Sequence, residues 1–433
     1  MNKTKLSSKF WIALTIFSLV GQVAWVVENM YFNVFIYKMF HASAEQISLM
    51  VSASAISATV TTILIGALSD KIGKRKLFIC SGYILWGISI WSFSLIRTDI
   101  IDKMFPMAVS AATVGVSLVI IMDCVMTFFG SAANDACFNA WLTDVTDETN
   151  RGAAEGINSM MPLVAILVVF GGFMGFDLNQ TESWTLIYQI IGIVVFVLGI
   201  LAIFLIQDVA VDTSGNQNYF GNIFYGFRPS IIKTNKLFYI ILAAYATFCI
   251  SIQIFMPYLI LYYNVSLAMD NYVLITAPAV IVAAIATAFY GRVYDKFHFK
   301  IAVMPAVGIL MLGYVLLYFF QSMALVFIGS LFMMSGYLMG MAVFGAMLRD
   351  YTPENRSGMF QGLRIVGQVL VPGIIGPAIG AAVLKNADTV LNDDGTYSFI
   401  PNQNIFLAAF VAACFIWLIL AIIFNLTKNT KEN

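Results

Sequence analysis

Long apolar runs, broken by short polar stretches, set the reading of this chain. A helix needs about 20 mostly apolar residues to cross a bilayer. Runs of that kind lie near 10–38, 46–69, 77–96, 116–143, 155–176 and 183–207. Six more follow near 236–264, 270–291, 300–320, 322–348, 357–384 and 402–426. The pattern predicts an all-α membrane protein with twelve transmembrane helices in two six-helix bundles. The stretch from Arg97 to Gly115 fits a re-entrant or surface helix ahead of the fourth span. The expected organisation is a first bundle over 1–207, a cytoplasmic linker over 208–235 and a second bundle over 236–433. The linker turns from polar to amphipathic, the pattern of a helix lying on a membrane surface.

Composition agrees. Of the 433 residues, 60% are hydrophobic and 11% charged, whereas a soluble protein carries about 25% charge. The charges are arranged by topology. With the amino terminus inside, 18 of the 23 lysines and arginines fall on cytoplasmic segments, four fall outside, and Arg364 lies within a span. That asymmetry predicts cytoplasmic termini in a multi-pass protein of the cytoplasmic membrane. Equal numbers of acidic and basic residues, 23 each, argue against nucleic acid as a partner. The first apolar run is too long for a cleavable signal. The five cysteines all lie in apolar runs and read as small core side chains. With two histidines, no metal motif or nucleotide loop and no call for a cofactor, the chain does not read as an enzyme.

The two bundles carry a repeat. At an offset of 206 residues, Ala140, Leu142, Asp144, Thr146, Glu148, Gly152 and Gly156 match Ala346, Leu348, Asp350, Thr352, Glu354, Gly358 and Gly362. Both windows sit at the inside end of the fourth span of their half. A second pair follows the second span, where Gly66, Asp70 and Lys71 match Gly291, Asp295 and Lys296. Two matches at corresponding positions point to duplication.

Gly66 to Lys76 resembles the signature loop of the major facilitator superfamily: a glycine, an aspartate and a basic cluster between helices two and three. A glycine there permits close helix approach. The resemblance implies a cytoplasmic gate latched by Asp70, Lys71, Lys74 and Arg75. Asp144, Arg151, Gly291, Asp295, Lys296, Asp350 and Arg356 are expected at the same face. More narrowly, the segment from Arg349 to Pro377 is similar to that of the glycoside–pentoside–hexuronide (GPH) cation symporters. Sodium-using members of that group carry paired aspartates on span two, where this chain has Ala58 and Thr62. A proton is therefore the expected coupling ion.

Polar residues inside the spans mark the candidate site, because lipid penalises them. Ser18, Gln22, Trp25, Asn29 and Asn33 form one stripe on span one, with Glu28 on its flank about 27 Å from the start of the helix. Span four carries Asp123, Thr127, Ser131, Asp135 and Asn139 at intervals of four residues, with Asn134 beside them. Span eleven offers Gln361, Arg364 and Gln368. Carboxyls out of water can take up and release a proton near physiological pH. Glu28, Asp135 and Asp123 are thus the candidates for proton coupling. Trp25, Asn29, Asn134, Asn139, Gln253, Tyr258, Gln361, Arg364 and Gln368 are the candidates for substrate binding. A structural ion pair of Asp135 with Arg364 is the competing account of those two residues. The expectation is alternating-access symport of a small solute, a sugar or glycoside, with a proton. The rival is efflux of drugs or metabolites.

Overall fold

The computed structural model describes residues 6–106, 110–147, 150–207, 227–269, 271–352, 362–392 and 395–429. Among them, eleven helices are long and apolar enough to cross a membrane, and a twelfth, Val273–Thr287, is apolar but shorter. In chain order they are α1 Ser8–Phe40, α2 Ala44–Ile72, α3 Arg75–Leu95, α4 Ala111–Val145, α5 Gly156–Phe173 and α6 Thr181–Leu205. The second set is α7 Lys236–Ser266, α8 Val273–Thr287, α9 Phe299–Phe319, α10 Met323–Asp350, α11 Gly362–Leu384 and α12 Asn404–Thr427. Large apolar side chains such as Phe204, Leu418 and Phe289 stand exposed, which only a lipid surround makes favourable.

Local chemistry sets several helix ends. Ser7 caps α1 by accepting from the Phe10 amide at 3.2 Å. At the other end of α1, His41 turns left-handed at φ 53° and closes the last turn onto the Ile36 and Tyr37 carbonyls. Ser43 and Gln46 then form a reciprocal capping box for α2. The Ser43 hydroxyl accepts from the Gln46 amide at 3.2 Å, and the Gln46 side chain accepts from the Ser43 amide at 2.8 Å.

The chain divides into two compact units: Met1–Ala42 with Ala53–Gly221, and Ser43–Ser52 with Asn222–Asn433. In the first unit α3 packs against α6 at backbone contact. A Cβ on Gly192 would lie 2.6 Å from the Trp91 nitrogen, and one on Gly199 would lie 2.5 Å from that of Ile84. The second unit repeats the device between α9 and α10, where Gly313 abuts Met333 and Gly336 abuts Leu310. Within that unit Tyr258 donates to the Ala44 carbonyl at 3.0 Å, and Ser52 to that of Gly373 at 3.3 Å.

Three features depart from the periodicity. The backbone is helical without interruption from Val273 to Phe319. Yet the Tyr290 hydroxyl donates to the Ala302 carbonyl at 2.6 Å. Twelve residues of straight helix would separate them by about 18 Å, so α8 bends back on itself into α9. Between Arg97 and Gly115 lies a seven-residue helix, Thr98–Met104, and α4 starts at Ala111. Finally, the described residues are not wholly helical: β1 Thr389–Leu391 pairs antiparallel with β2 Tyr397–Phe399. Gly395, at φ 80°, makes the turn between them. Of the expected surface helix in the linker, residues 208–226 lie outside those described, and Pro229–Thr234 is a short helix.

Candidate functional site

Several of the polar candidates on α1, α4 and α11 sit on widened, π-helical turns, which periodicity alone does not reveal. Val27–Tyr31 in α1 carries Glu28, Ser131–Phe138 in α4 carries Asn134 and Asp135, and Val366–Leu370 in α11 carries Gln368. A π turn adds a residue to the helix and rotates everything after it, a feature frequent at functional sites. Glu28, expected on the flank of the stripe, is buried at 7% exposure, while Asn29, expected within it, is exposed. Asn29 and Asn33 turn their amides onto the carbonyls of Trp25 and Asn29, at 2.8 and 2.9 Å.

In the first unit Glu28 meets two hydroxyls. Its Oε1 accepts from Ser54 on α2 at 2.6 Å and stands 2.9 Å from Thr127 Oγ1 on α4. The two hydroxyl oxygens are 2.8 Å apart. Glu28 Oε2 is buried without a hydrogen-bond partner, as is Oδ1 of Asp123, whose carboxyl faces Glu28 and Ser54. Neither acid forms an ion pair among the described residues. Asp135 is half-buried and held from its own helix, accepting from Ser131 at 3.1 Å and Asn134 at 3.2 Å. Asn134 also accepts from the Tyr83 hydroxyl of α3 at 2.8 Å. Gly21 makes room for it, since a Cβ there would meet Asn134 Oδ1 at 2.6 Å. Trp25 packs on Trp86 with ring centroids 5.1 Å apart; the Trp86 indole nitrogen is a buried donor without an acceptor, and that of Trp25 is turned towards the Asp135 carboxyl without a well-formed hydrogen bond. Asn139 is exposed and bonds the Asp135 carbonyl at 3.2 Å. The sequence reading passed over Ser54, Tyr83 and Trp86. Their signal is weak: a serine among small residues, and aromatics like many others.

In the second unit the half-buried Arg364 donates to Gln368 at 3.3 Å and forms no ion pair with the described residues of its unit. Gly345 leaves space beside the guanidinium. Gln253 is half-buried, its stem packed on Gly376. Tyr258 is fully buried, with its hydroxyl against the Ala44 and Pro377 carbonyls. Gln361 lies outside the described residues.

At the start of α3, Arg75 is buried and gathers three partners. It bonds Ser69 at 2.5 Å and Asp144 at 3.0 Å, and pairs with Asp70. Lys71 and Lys74 are exposed. Gly66 is not a site of close helix approach, because a Cβ there would sit 3.8 Å from Ala136, an ordinary contact. In the second unit the repeat-related Asp350 accepts from the Tyr294 hydroxyl, and Lys296 lies 5.1 Å over the Phe297 ring. The side chains of Arg151 and Asp295 are not described, Gly291 lies in the helical run Val273–Phe319, and Arg356 lies outside the described residues.

The sequence model of the Major Facilitator Superfamily matches residues 10–343 and 273–433. No curated protein matches the chain in sequence. Among solved structures, a mutant of the nucleoside transporter NupG is similar with a TM-score of 0.71 at 12% identity, over 95% of this chain and 98% of that one. A bacterial homologue of the human lysosomal transporter Spinster is similar with a TM-score of 0.69 at 15% identity, over 97% of both chains. A D-xylose–proton symporter gives a TM-score of 0.69 at 14% identity, over 94% of this chain and 97% of that one. At these identities the likeness is one of fold.

Proposed function

Because the chain belongs to the major facilitator superfamily and is thus a membrane transporter, we propose that it carries a small polyhydroxylated solute, a sugar or glycoside, in symport with a proton. The observation that carries this reading is Glu28: a buried carboxyl with two hydroxyl neighbours, one unpartnered oxygen and no ion pair among the described residues. Ionisable groups are expensive within a bilayer, and one without a counter-ion has a use for a proton. The candidates for meeting substrate hydroxyls are Trp25, Asn29, Asn134 and Asn139 in the first bundle; those of the second, taken by itself, are Gln253, Tyr258, Gln361, Arg364 and Gln368. The unpartnered indole N–H of Trp86, and that of Trp25 beside Asp135, add donors of the right kind. The names of a xylose–proton symporter and a nucleoside transporter among the similar folds accord with a hydroxyl-rich substrate. The GPH-like segment of the sequence points to the glycoside class.

In this reading Asp70, Arg75 and Asp144 latch the cytoplasmic face, with Asp350 at the matching place in the second bundle. The bundles of 1–207 and 236–433 alternate access around the linker, with both termini in the cytoplasm. The test is external pH in lightly buffered, de-energised cells making the protein, with unlabelled sugars added one at a time. Alkalinisation by one sugar, absent from vector controls and abolished by protonophore, supports proton symport. No response from any sugar, together with sugar uptake that ignores pH, counts against it.

A further inference from the structure

Three oxygens close a triangle between α1, α2 and α4: Glu28 Oε1, Ser54 Oγ and Thr127 Oγ1, with edges of 2.6, 2.9 and 2.8 Å. Every edge is at hydrogen-bond length, and each needs one hydrogen between its oxygens. A serine and a threonine hydroxyl bring one hydrogen each. An ionised carboxylate brings none, and then one edge is left as two acceptors in contact, which is repulsive. A protonated Glu28 supplies the third hydrogen. The ring then closes in one sense, each oxygen donating once and accepting once. The remaining oxygen, Glu28 Oε2, is buried with no partner, a position far less costly for a neutral carbonyl than for half of a carboxylate. The titratable groups facing Glu28 are Asp123, whose carboxyl also approaches the Ser54 hydroxyl from outside the triangle, Cys124 and Asp135, all on α4. None brings a positive charge.

We propose that Glu28 is neutral in this structure and that Ser54 and Thr127 are positioning residues which hold its proton in a closed three-hydrogen ring. That this proton is the coupled one rests on the symport reading above; the ring itself rests on geometry. Loss of the proton leaves two hydrogens for three edges, so the Ser54–Thr127 edge opens. Protonation at α1 is thereby linked to the spacing of α2 and α4.

Infrared spectroscopy of the purified full-length protein in lipid tests this. The wild type should show a carboxylic-acid carbonyl band at the high-frequency, unbonded end of its range, sensitive to deuterium exchange and absent in Glu28→Gln. Ser54→Ala and Thr127→Val should shift that band, while Ser54→Thr and Thr127→Ser, which keep the hydroxyl, should leave it in place. A Glu28→Gln difference spectrum that shows carboxylate bands at neutral pH overturns the proposal. So does a band that ignores Ser54→Ala and Thr127→Val in variants that remain monodisperse. If the ring is present while transport carries no proton, the band persists unchanged when sugar is added. That outcome supports the ring and counts against the symport reading alone.

Discussion

Arg75 Nε lies 3.0 Å from Asp144 Oδ2 across 69 residues of sequence, tying the start of α3 to the end of α4. The guanidinium is buried and the carboxylate a quarter exposed. Asp144→Asn keeps the shape of the pair and removes its charge. A hydrogen bond to a charged group contributes about 1.5–3 kcal/mol, so the variant should melt at a lower temperature in detergent. Arg75→Lys should lose as much, since one ammonium cannot reproduce the planar fork that serves Ser69, Asp70 and Asp144 together. Thermal melts of both variants and of the double variant check this; the double variant should fall short of the sum.

The counterpart in the second unit is a hydroxyl on a carboxylate, Tyr294 to Asp350. Burial and the Asp350 carboxylate hold the Tyr294 phenol above the usual tyrosine range. The folded state thus favours the neutral phenol, whose contribution is complete below about pH 9 and is lost as pH rises further. Tyr294→Phe should lower the melting temperature less than Asp144→Asn does, and its effect should be flat from pH 5 to about pH 9. A loss equal to that of Asp144→Asn would contradict this ranking.

Close packing of α3 on α6 depends on glycine. A methyl group on Gly192 would lie 2.6 Å from the Trp91 backbone, closer than any relaxation of a side chain can cure. Overpacking of this kind costs about 1–3 kcal/mol. Gly192→Ala should therefore reduce the folded yield and the melting temperature. Gly66→Ala, at a position with ordinary contacts, should leave both near wild type.

Tyr83 fixes the side chain of Asn134 through a 2.8 Å hydrogen bond. If Asn134 binds substrate, Tyr83→Phe frees it to rotate. Losing about 1 kcal/mol of positioning should raise the half-saturating substrate concentration about fivefold with little change in maximal rate. Concentration-dependent uptake measures it; an unchanged half-saturation would remove Asn134 from the binding set.

The membrane class, the number of crossings and the repeat were legible from apolar run lengths and from matched residues such as Asp144 and Asp350, because both follow from composition and spacing alone. The ion-pair cluster around Arg75 was legible in part, since the signature loop places basic groups beside Asp70, though not in which cation does the pairing. The geometry around Glu28 was not legible. A helical wheel assumes 3.6 residues per turn, and the π turn at Val27–Tyr31 breaks that assumption at the residue that matters. Ser54 lies in a run of small residues on a helix without acids, and only the distance to Glu28 gives it a role. The turn that folds α8 back towards α9 is likewise hidden from periodicity, because the backbone is helical on both sides of it and through it.

The central claim is that Glu28 carries the coupled proton, and Glu28→Gln in sealed proteoliposomes tests it most directly. The amide keeps the size of the side chain and remains permanently uncharged. With the transported sugar on both sides, the variant should exchange labelled for unlabelled sugar at a rate within a few-fold of wild type, and it should fail to accumulate sugar when a pH gradient is imposed. Accumulation at the wild-type level in Glu28→Gln would contradict the account.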